Sequence, residues 1–254
     1  VKGLRILLTN DDGIHATGLS LLEKIARKLS NDVWIVAPEF EQSGSSHSLT
    51  LVEPLRIRKL APRKFAVRGT PTDCVLLAIS QIIGNRRPDL LLSGINRGAN
   101  LGEDVTYSGT VAAAIEGALL KVPSIALSQV MSFAQKVKWA TASHHAPGLL
   151  RRLLKAGWPQ DVLLNINFPN VVQDAVTGIV ISSQGRRSLS DVVFDARVDT
   201  RGVPYYWIGF RRSLGRPSPL TDLGTVARGA ISVTPLHLDY THRPTIEHLK
   251  KALA

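Results

Sequence analysis

Asn10, Asp11, Asp12 and Gly13 follow directly on an apolar run, Ile6-Leu7-Leu8-Thr9. Two adjacent carboxylates at the end of a hydrophobic strand concentrate negative charge at a sheet edge. Ionised neighbours repel by about 1 kcal/mol at water-like screening and by more where water is excluded. The pair therefore suits either a solvated turn, which Asp-Gly favours, or a divalent cation that takes hard oxygen ligands. Two further polar clusters end apolar runs: Ser43-Gly44 beyond Val33-Trp34-Ile35-Val36, and Ser93-Gly94-Ile95-Asn96 beyond Leu90-Leu91-Leu92. In open α/β sheets, ligands bind outside the carboxyl ends of the strands. With these strands as neighbours, Asp11, Asp12, Ser43 and Asn96 form an all-oxygen set. Such a set suits Mg²⁺, Mn²⁺ or Ca²⁺ and is poor for structural zinc.

A second constellation is Tyr107-Ser108-Gly109-Thr110 leading into Val111-Ala112-Ala113-Ala114. A helix start offers unpaired N–H groups and the positive end of a dipole, hence an anion site. Ser108 and Thr110 add hydroxyl donors, and Gly109 removes a side chain that would block close approach. Plain N-capping by Ser108, worth about 1 kcal/mol, is compatible with this. The seven histidines show no His-Glu-x-x-His spacing. His15 is near the acidic pair, His144 and His145 suit a solvated helix face, and His237 with Asp239 could stand near a second wall. All read as structural. No Gly-x-Ser-x-Gly elbow supports a Ser-His-Asp triad.

The elements that must position these residues alternate. Arg5 to Thr9 reads as a strand. A helix follows with Leu22, Ile25 and Leu29 on one face, then the strand Val33 to Val36. Leu51 to Lys59 and Lys64 to Val67 read as half-exposed strands. Thr70-Pro71-Thr72-Asp73 is a helix start with capping-box spacing, and that helix runs to about Ile83. A strand from Pro88 to Ser93, a loop from Gly94 to Asp104 and a helix from Ser108 to Leu120 come next. Ser124 to Leu127 and Val162 to Ile166 complete the parallel set, which implies a Rossmann-like α/β fold with helices on both faces. After Phe168-Pro169 the strands at Thr177 to Ser182 and Pro204 to Phe210 are more amphipathic. Gly185 to Pro217 reads as an arm within a single domain of 254 residues.

The chain is 44% hydrophobic, with no apolar run near the ~20 residues that span a bilayer. Cys74 is the single cysteine; it excludes an intrachain disulfide and reads as a small buried hydrophobe. With no secretory leader pattern at Val1-Lys2-Gly3-Leu4-Arg5, a cytoplasmic home is expected. The formal charge is +11. Arg186, Arg187, Arg197, Arg201, Arg211, Arg212 and Arg216 gather in the arm, without uninterrupted basic runs and with few aromatics. Such charge steers anionic substrates and is weak support for nucleic acid.

Together the segments resemble the SurE family of metal-dependent 5′/3′-nucleotidases. They are Leu8 to Ile14, Val36-Ala37-Pro38 through Gln42 to Ser46, Gly69 to Val75, Pro88-Asp89-Leu90, Ser93 to Asn100, Tyr107 to Ala113, and Ser232 to Leu236 with Asp239 and Thr241. The resemblance implies one divalent metal per subunit on Asp11, Asp12, Ser43 and Asn96, and a C-terminal arm that exchanges between subunits of dimers or tetramers. It implies hydrolysis of nucleoside monophosphates and, in some members, of short polyphosphate. Glu39-Phe40-Glu41 departs from the family pattern beside the metal loop and bears on substrate preference. The expected enzyme is a phosphomonoesterase. Asp11, Asp12 and Asn96 serve its chemistry, and Asn96, Ser108, Gly109 and Thr110 hold the phosphoryl oxygens. An aspartyl-phosphate-forming phosphatase and a non-catalytic basic nucleic-acid-binding protein are the rivals. Neither a membrane nor nucleic acid is an expected partner.

Overall fold

The computed structural model describes residues 3–132, 136–186, 192–210 and 217–254. Its first strand, β1 (Arg5–Thr9), is buried on both faces, with Ile6 and Leu8 toward one layer of helices and Leu7 toward the other. Helix α1 (Thr17–Arg27) returns the chain to β2 (Asp32–Pro38), and β3 (Arg56–Ala61) and β4 (Lys64–Arg68) extend the sheet on that side. Helix α2 (Pro71–Leu77), continued by a π-helical turn at Ala78–Ile82, then carries the chain across to β5 (Leu90–Arg97). A one-turn helix α3 (Asp104–Tyr107), α4 (Gly109–Leu119), β6 (Ser124–Gln129), α5 (Trp139–Ala156) and β7 (Val162–Phe168) follow. The remainder is β8 (Ile179–Ile181), β9 (Val192–Val198), β10 (Pro204–Phe210), α6 (Asp222–Ala227), β11 (Ile231–His237) and α7 (Arg243–Leu253).

The main sheet has nine strands in the order β3-β4-β2-β1-β5-β6-β7-β11-β8, and β9 and β10 form a separate antiparallel pair. From β4 to β7 every pairing is parallel, while β3 and β11 run antiparallel to β4 and β7. Helices α1 and α5 cover one face, over Leu22, Ile25, Leu149 and Leu150. Helices α2 and α4 cover the other, over Cys74, Val75, Val111 and Ala114. This is the expected α/β architecture. Chain order reverses at β1, whose neighbours β2 and β5 are reached by crossovers on opposite sides. A crevice at that switch point is where such folds place ligands.

Local signals explain several elements. Thr70 accepts from the Asp73 N–H at 3.1 Å while Asp73 accepts from the Thr70 N–H at 2.8 Å, the reciprocal cap that its spacing predicts. Other expectations need correction. The strand proposed from Leu51 starts only at Arg56, because Pro54 has no N–H to pair and Leu51 and Val52 face solvent. The loop expected from Gly94 is a continuation of β5 to Arg97, with a register break against β6 between Ser93 and Asn96. Gly94 permits this: its φ is +131°, and a Cβ there would lie 2.3 Å from the Leu127 carbonyl oxygen. The arm is present as the β9–β10 hairpin, pairing Val198 with Pro204 through to Val192 with Phe210. Arg187, Arg211, Arg212 and Arg216 lie outside the described residues.

Candidate active site

Asp11 and Asp12 leave the carboxyl end of β1 beside the middle of β5, where Thr9 pairs with Ser93. Asn10 is fully buried, and its amide donates to the Gly13 carbonyl at 2.9 Å, which tightens the turn. Asp11 is 5% exposed. Its backbone oxygen accepts from Gln42 at 2.8 Å, so the polar loop after β2 is fastened to the acidic pair. One Asp11 carboxylate oxygen accepts a short bond from the Thr110 hydroxyl. Asp12, half-buried, accepts at Oδ2 from the Arg97 backbone N–H at 3.2 Å.

The start of α4 abuts Asp11 directly. A Cβ on Gly109 would stand 2.9 Å from the Asp11 Cβ, 3.0 Å from Ser45 Oγ and 3.1 Å from Pro71 Cγ, so only glycine permits this approach. Ser108 caps α4 by accepting from the Val111 N–H at 3.1 Å, and its own carbonyl takes the Ala112 N–H. The Thr110 hydroxyl faces Asp11, which differs from an open phosphate donor. The Asn96 amide nitrogen donates to the Gly98 carbonyl at 3.2 Å, leaving its oxygen as the available acceptor. Ser43 is exposed and donates to Glu41 at 2.8 Å; it is carried by the loop joined to Asp11, but its hydroxyl is turned to Glu41. That loop is stitched to the α3–α4 corner by Ser46, whose Oγ donates to the Thr106 carbonyl at 2.7 Å, and by His47, which meets Glu116 of α4 at 2.9 Å.

Burial pushes the Asp11 carboxyl up to about 6, opposed by the Thr110 hydrogen bond and reinforced by the Asp12 charge. Asp12 is also raised, first by burial and then by Glu41, against the bond from the Arg97 N–H and that residue's charge. No cationic side chain acts on Asp11, and only the Arg97 charge acts on Asp12, among the described residues. Burying two repelling acids without a cation is costly, and a divalent ion is the partner that such a pair fits. Among the described residues no three His, Cys, Asp or Glu side chains gather in metal-holding geometry. Any ion would therefore rest on the two carboxylates with neutral oxygens such as those of Asn96 and Ser43.

The histidines take no part in this cluster. His15 lies on the rim of an adjoining cavity, and His144 is exposed while His145 meets the Gln173 carbonyl. His237 pairs opposite Val162, the first residue of β7, so it stands at the amino edge of the parallel strands, away from Asp11. It contacts Asp161 there at 3.0 Å. Cys74 is fully buried, and burial holds its thiol well above the usual range, which removes it as a nucleophile. Sequence reasoning missed the Thr110–Asp11 bond, because 99 residues separate the partners. It also missed the Arg97 N–H that reaches Asp12, because only the continuation of β5 past Gly94 brings it there; Glu39-Phe40-Glu41 was placed beside the metal loop, but not the effect of the Glu41 charge on Asp12.

Comparison with known proteins places this site in context. The family model for the survival protein SurE matches residues 6–191. The chain is 59% identical to the 5′-nucleotidase SurE of Parvibaculum lavamentivorans, covering 99% of this chain and 92% of that protein. It is 57% identical to the 5′-nucleotidase SurE of Paramagnetospirillum magneticum, covering 99% and 96%. The crystal structure of the SurE protein from Aquifex aeolicus superposes with a TM-score of 0.86 at 38% identity, covering 98% of this chain and all of that one. The buried acidic turn, its glycine-backed helix and these matches over nearly the whole length make the chain a member of the SurE family.

Proposed function

We propose that the protein is a divalent-metal-dependent phosphomonoesterase that hydrolyses nucleoside 5′- and 3′-monophosphates to nucleoside and phosphate. The observation that carries this reading is the Asp11–Asp12 pair, desolvated at the switch point, in contact with a helix start, and with both carboxyls raised despite the Arg97 charge beside Asp12. The names of the relatives support the substrate class. Asp11, Asp12, Asn96 and Ser43 would hold one Mg²⁺ or Mn²⁺. The bound ion would supply Lewis-acid polarisation of a phosphoryl oxygen and a more acidic water. Thr110 keeps the Asp11 carboxylate oriented through its hydroxyl, and Gly109 keeps the backbone close enough for the first N–H groups of α4 to face an anion. Ser108 shapes that turn as its cap, and the Asn96 oxygen and Asp12 border the same crevice. Positioned donors and charge carry most of phosphoryl transfer.

A phosphatase that forms an aspartyl-phosphate needs a free nucleophilic carboxylate with a second acid two residues away. Here one Asp11 oxygen is engaged by Thr110, and the second acid is adjacent. A non-catalytic nucleic-acid-binding role would leave the buried acids unexplained. Short polyphosphate, a cytoplasmic home, and a dimer or tetramer joined through the 185–217 arm belong to the same proposal. No helix of the described residues is long and apolar enough to cross a membrane. The test is phosphate release from a nucleotide panel with Mg²⁺, Mn²⁺ or Ca²⁺ and after chelation. Metal-dependent release is expected, and a phosphorylated Asp11 trapped during turnover would favour the aspartyl-phosphate rival.

A further inference from the structure

A cavity of about 830 Å³ opens beside Asp12, bounded by Gly18 of α1, Glu41, Arg97, Lys136 and Trp139 at the start of α5. Small-molecule sites span roughly 300–1,000 Å³, so this space exceeds what a phosphoryl group alone occupies. Its walls differ in chemistry. The Trp139 ring is half-buried and seated against Gly18, where a Cβ would be 3.3 Å from the indole. That contact presents a fixed aromatic surface. Arg97 and Lys136 are exposed; the Arg97 charge acts on Asp12, and its guanidinium keeps donors turned to solvent. Of the acids that share the cavity, Asp12 is repelled by the Glu41 charge and drawn to that of Arg97, and in the reading above Asp12 faces the metal.

We propose that this cavity receives the leaving half of the substrate, with the nucleobase against Trp139 and a second phosphate on Arg97 and Lys136. The favoured substrates are then nucleotides with an additional phosphate on the ribose, such as nucleoside 3′,5′-bisphosphates, over simple monophosphates. A guanidinium engages phosphate in paired hydrogen bonds and an ammonium adds a point charge. Aromatic stacking accepts any base, since each has a π-face. A neutral leaving nucleoside would bring no charge to meet either cation.

This inference rests on the function proposed above, and the experiment separates the two. Turnover of adenosine 5′-monophosphate and adenosine 3′,5′-bisphosphate is measured for wild type, Arg97→Gln, Lys136→Gln and the double variant, alongside calorimetric binding of both nucleotides. Wild type should favour the bisphosphate by at least about tenfold in kcat/KM and in affinity. Each variant should lose most of that preference and the double variant nearly all of it. Equal handling of the two nucleotides by wild type would overturn the proposal. So would variants that weaken both nucleotides by the same factor, because the cations would then serve the reacting phosphate. Preferential, cation-dependent binding of the bisphosphate with no phosphate release from any nucleotide would keep the cavity assignment and sink the proposed function instead.

Discussion

At the scale of single residues, the site is defined by how few options Asp11 has. Its carboxylate is buried, one oxygen is bound by Thr110, and its neighbour is another acid. Because the folded Asp11 is raised to about 6, the native state prefers the proton. The stabilisation is complete below the unfolded value, about 3.9, and is lost as pH rises through 6. Thermal unfolding in chelator should therefore show Asp11→Asn more stable than wild type at pH 8, by roughly 1–3 kcal/mol, with the gap closing near pH 4. Asp11→Asn should also abolish hydrolysis, since a neutral amide cannot replace the charge opposite a cation. A wild type equal to the variant in stability across that range would contradict the burial argument. Thr110→Val leaves an Asp11 oxygen unpaired, and turnover should fall roughly tenfold or more. Thr110→Ser, which keeps the hydroxyl, should remain within a few-fold. Equal losses in the serine and valine variants would reduce Thr110 to a packing residue.

At the scale of elements, the acidic turn, the Ser43 loop and the start of α4 form one assembly. Gly109→Ala would push a methyl group into Asp11 and Pro71, and overpacking of this kind costs about 1–3 kcal/mol. Chemical denaturation should show that loss together with reduced activity. Thr70→Ala, at the cap of α2, should cost about 1 kcal/mol and leave hydrolysis intact, which separates stability from site geometry. A Gly109→Ala protein of wild-type stability and activity would mean that α4 can shift freely. Legibility followed the same divisions. Strand β1 and the caps Thr70 and Ser108 were readable because apolar runs and cap residues act locally. The extension of β5 through Ile95 and Asn96 was not, because Ser-Gly-Ile-Asn reads as a polar turn until β6 and Gly94 accommodate it. Strand β11 escaped notice as well. Its Ser232 and Thr234 look exposed in sequence, but both are buried beside the Ser182 hydroxyl. Its Pro235 is tolerated because β8 pairs no further than Val233. The Asp11–Thr110 bond joins positions that only the folded sheet brings together.

At the scale of the whole molecule, nine strands hold the site at a single crevice, while the β9–β10 hairpin stands apart with Phe194, Tyr206, Trp207 and Ile208 exposed. Helix α7 likewise has no buried residue, although Ile246, Leu249 and Leu253 fall on one face. Aromatics with arginine are typical of protein interfaces, and an exposed strand edge invites pairing. Removing residues 187–216 should yield a monomer or a smaller oligomer by sedimentation, and a wild-type monomer at micromolar concentration would contradict an oligomeric role for the arm. The central proposal concerns the crevice, where buried Asp11, half-buried Asp12, the glycine-backed helix start and the adjoining cavity would together make one phosphomonoesterase site dependent on a divalent ion. Its most direct test is phosphate release from nucleoside 5′- and 3′-monophosphates by metal-stripped protein, wild type and Asp12→Asn, titrated with Mg²⁺ or Mn²⁺. Wild type should be inactive without the ion and regain turnover on its addition, while Asp12→Asn stays inactive though folded. Turnover undiminished in the stripped protein, or full activity in Asp12→Asn, would contradict the account.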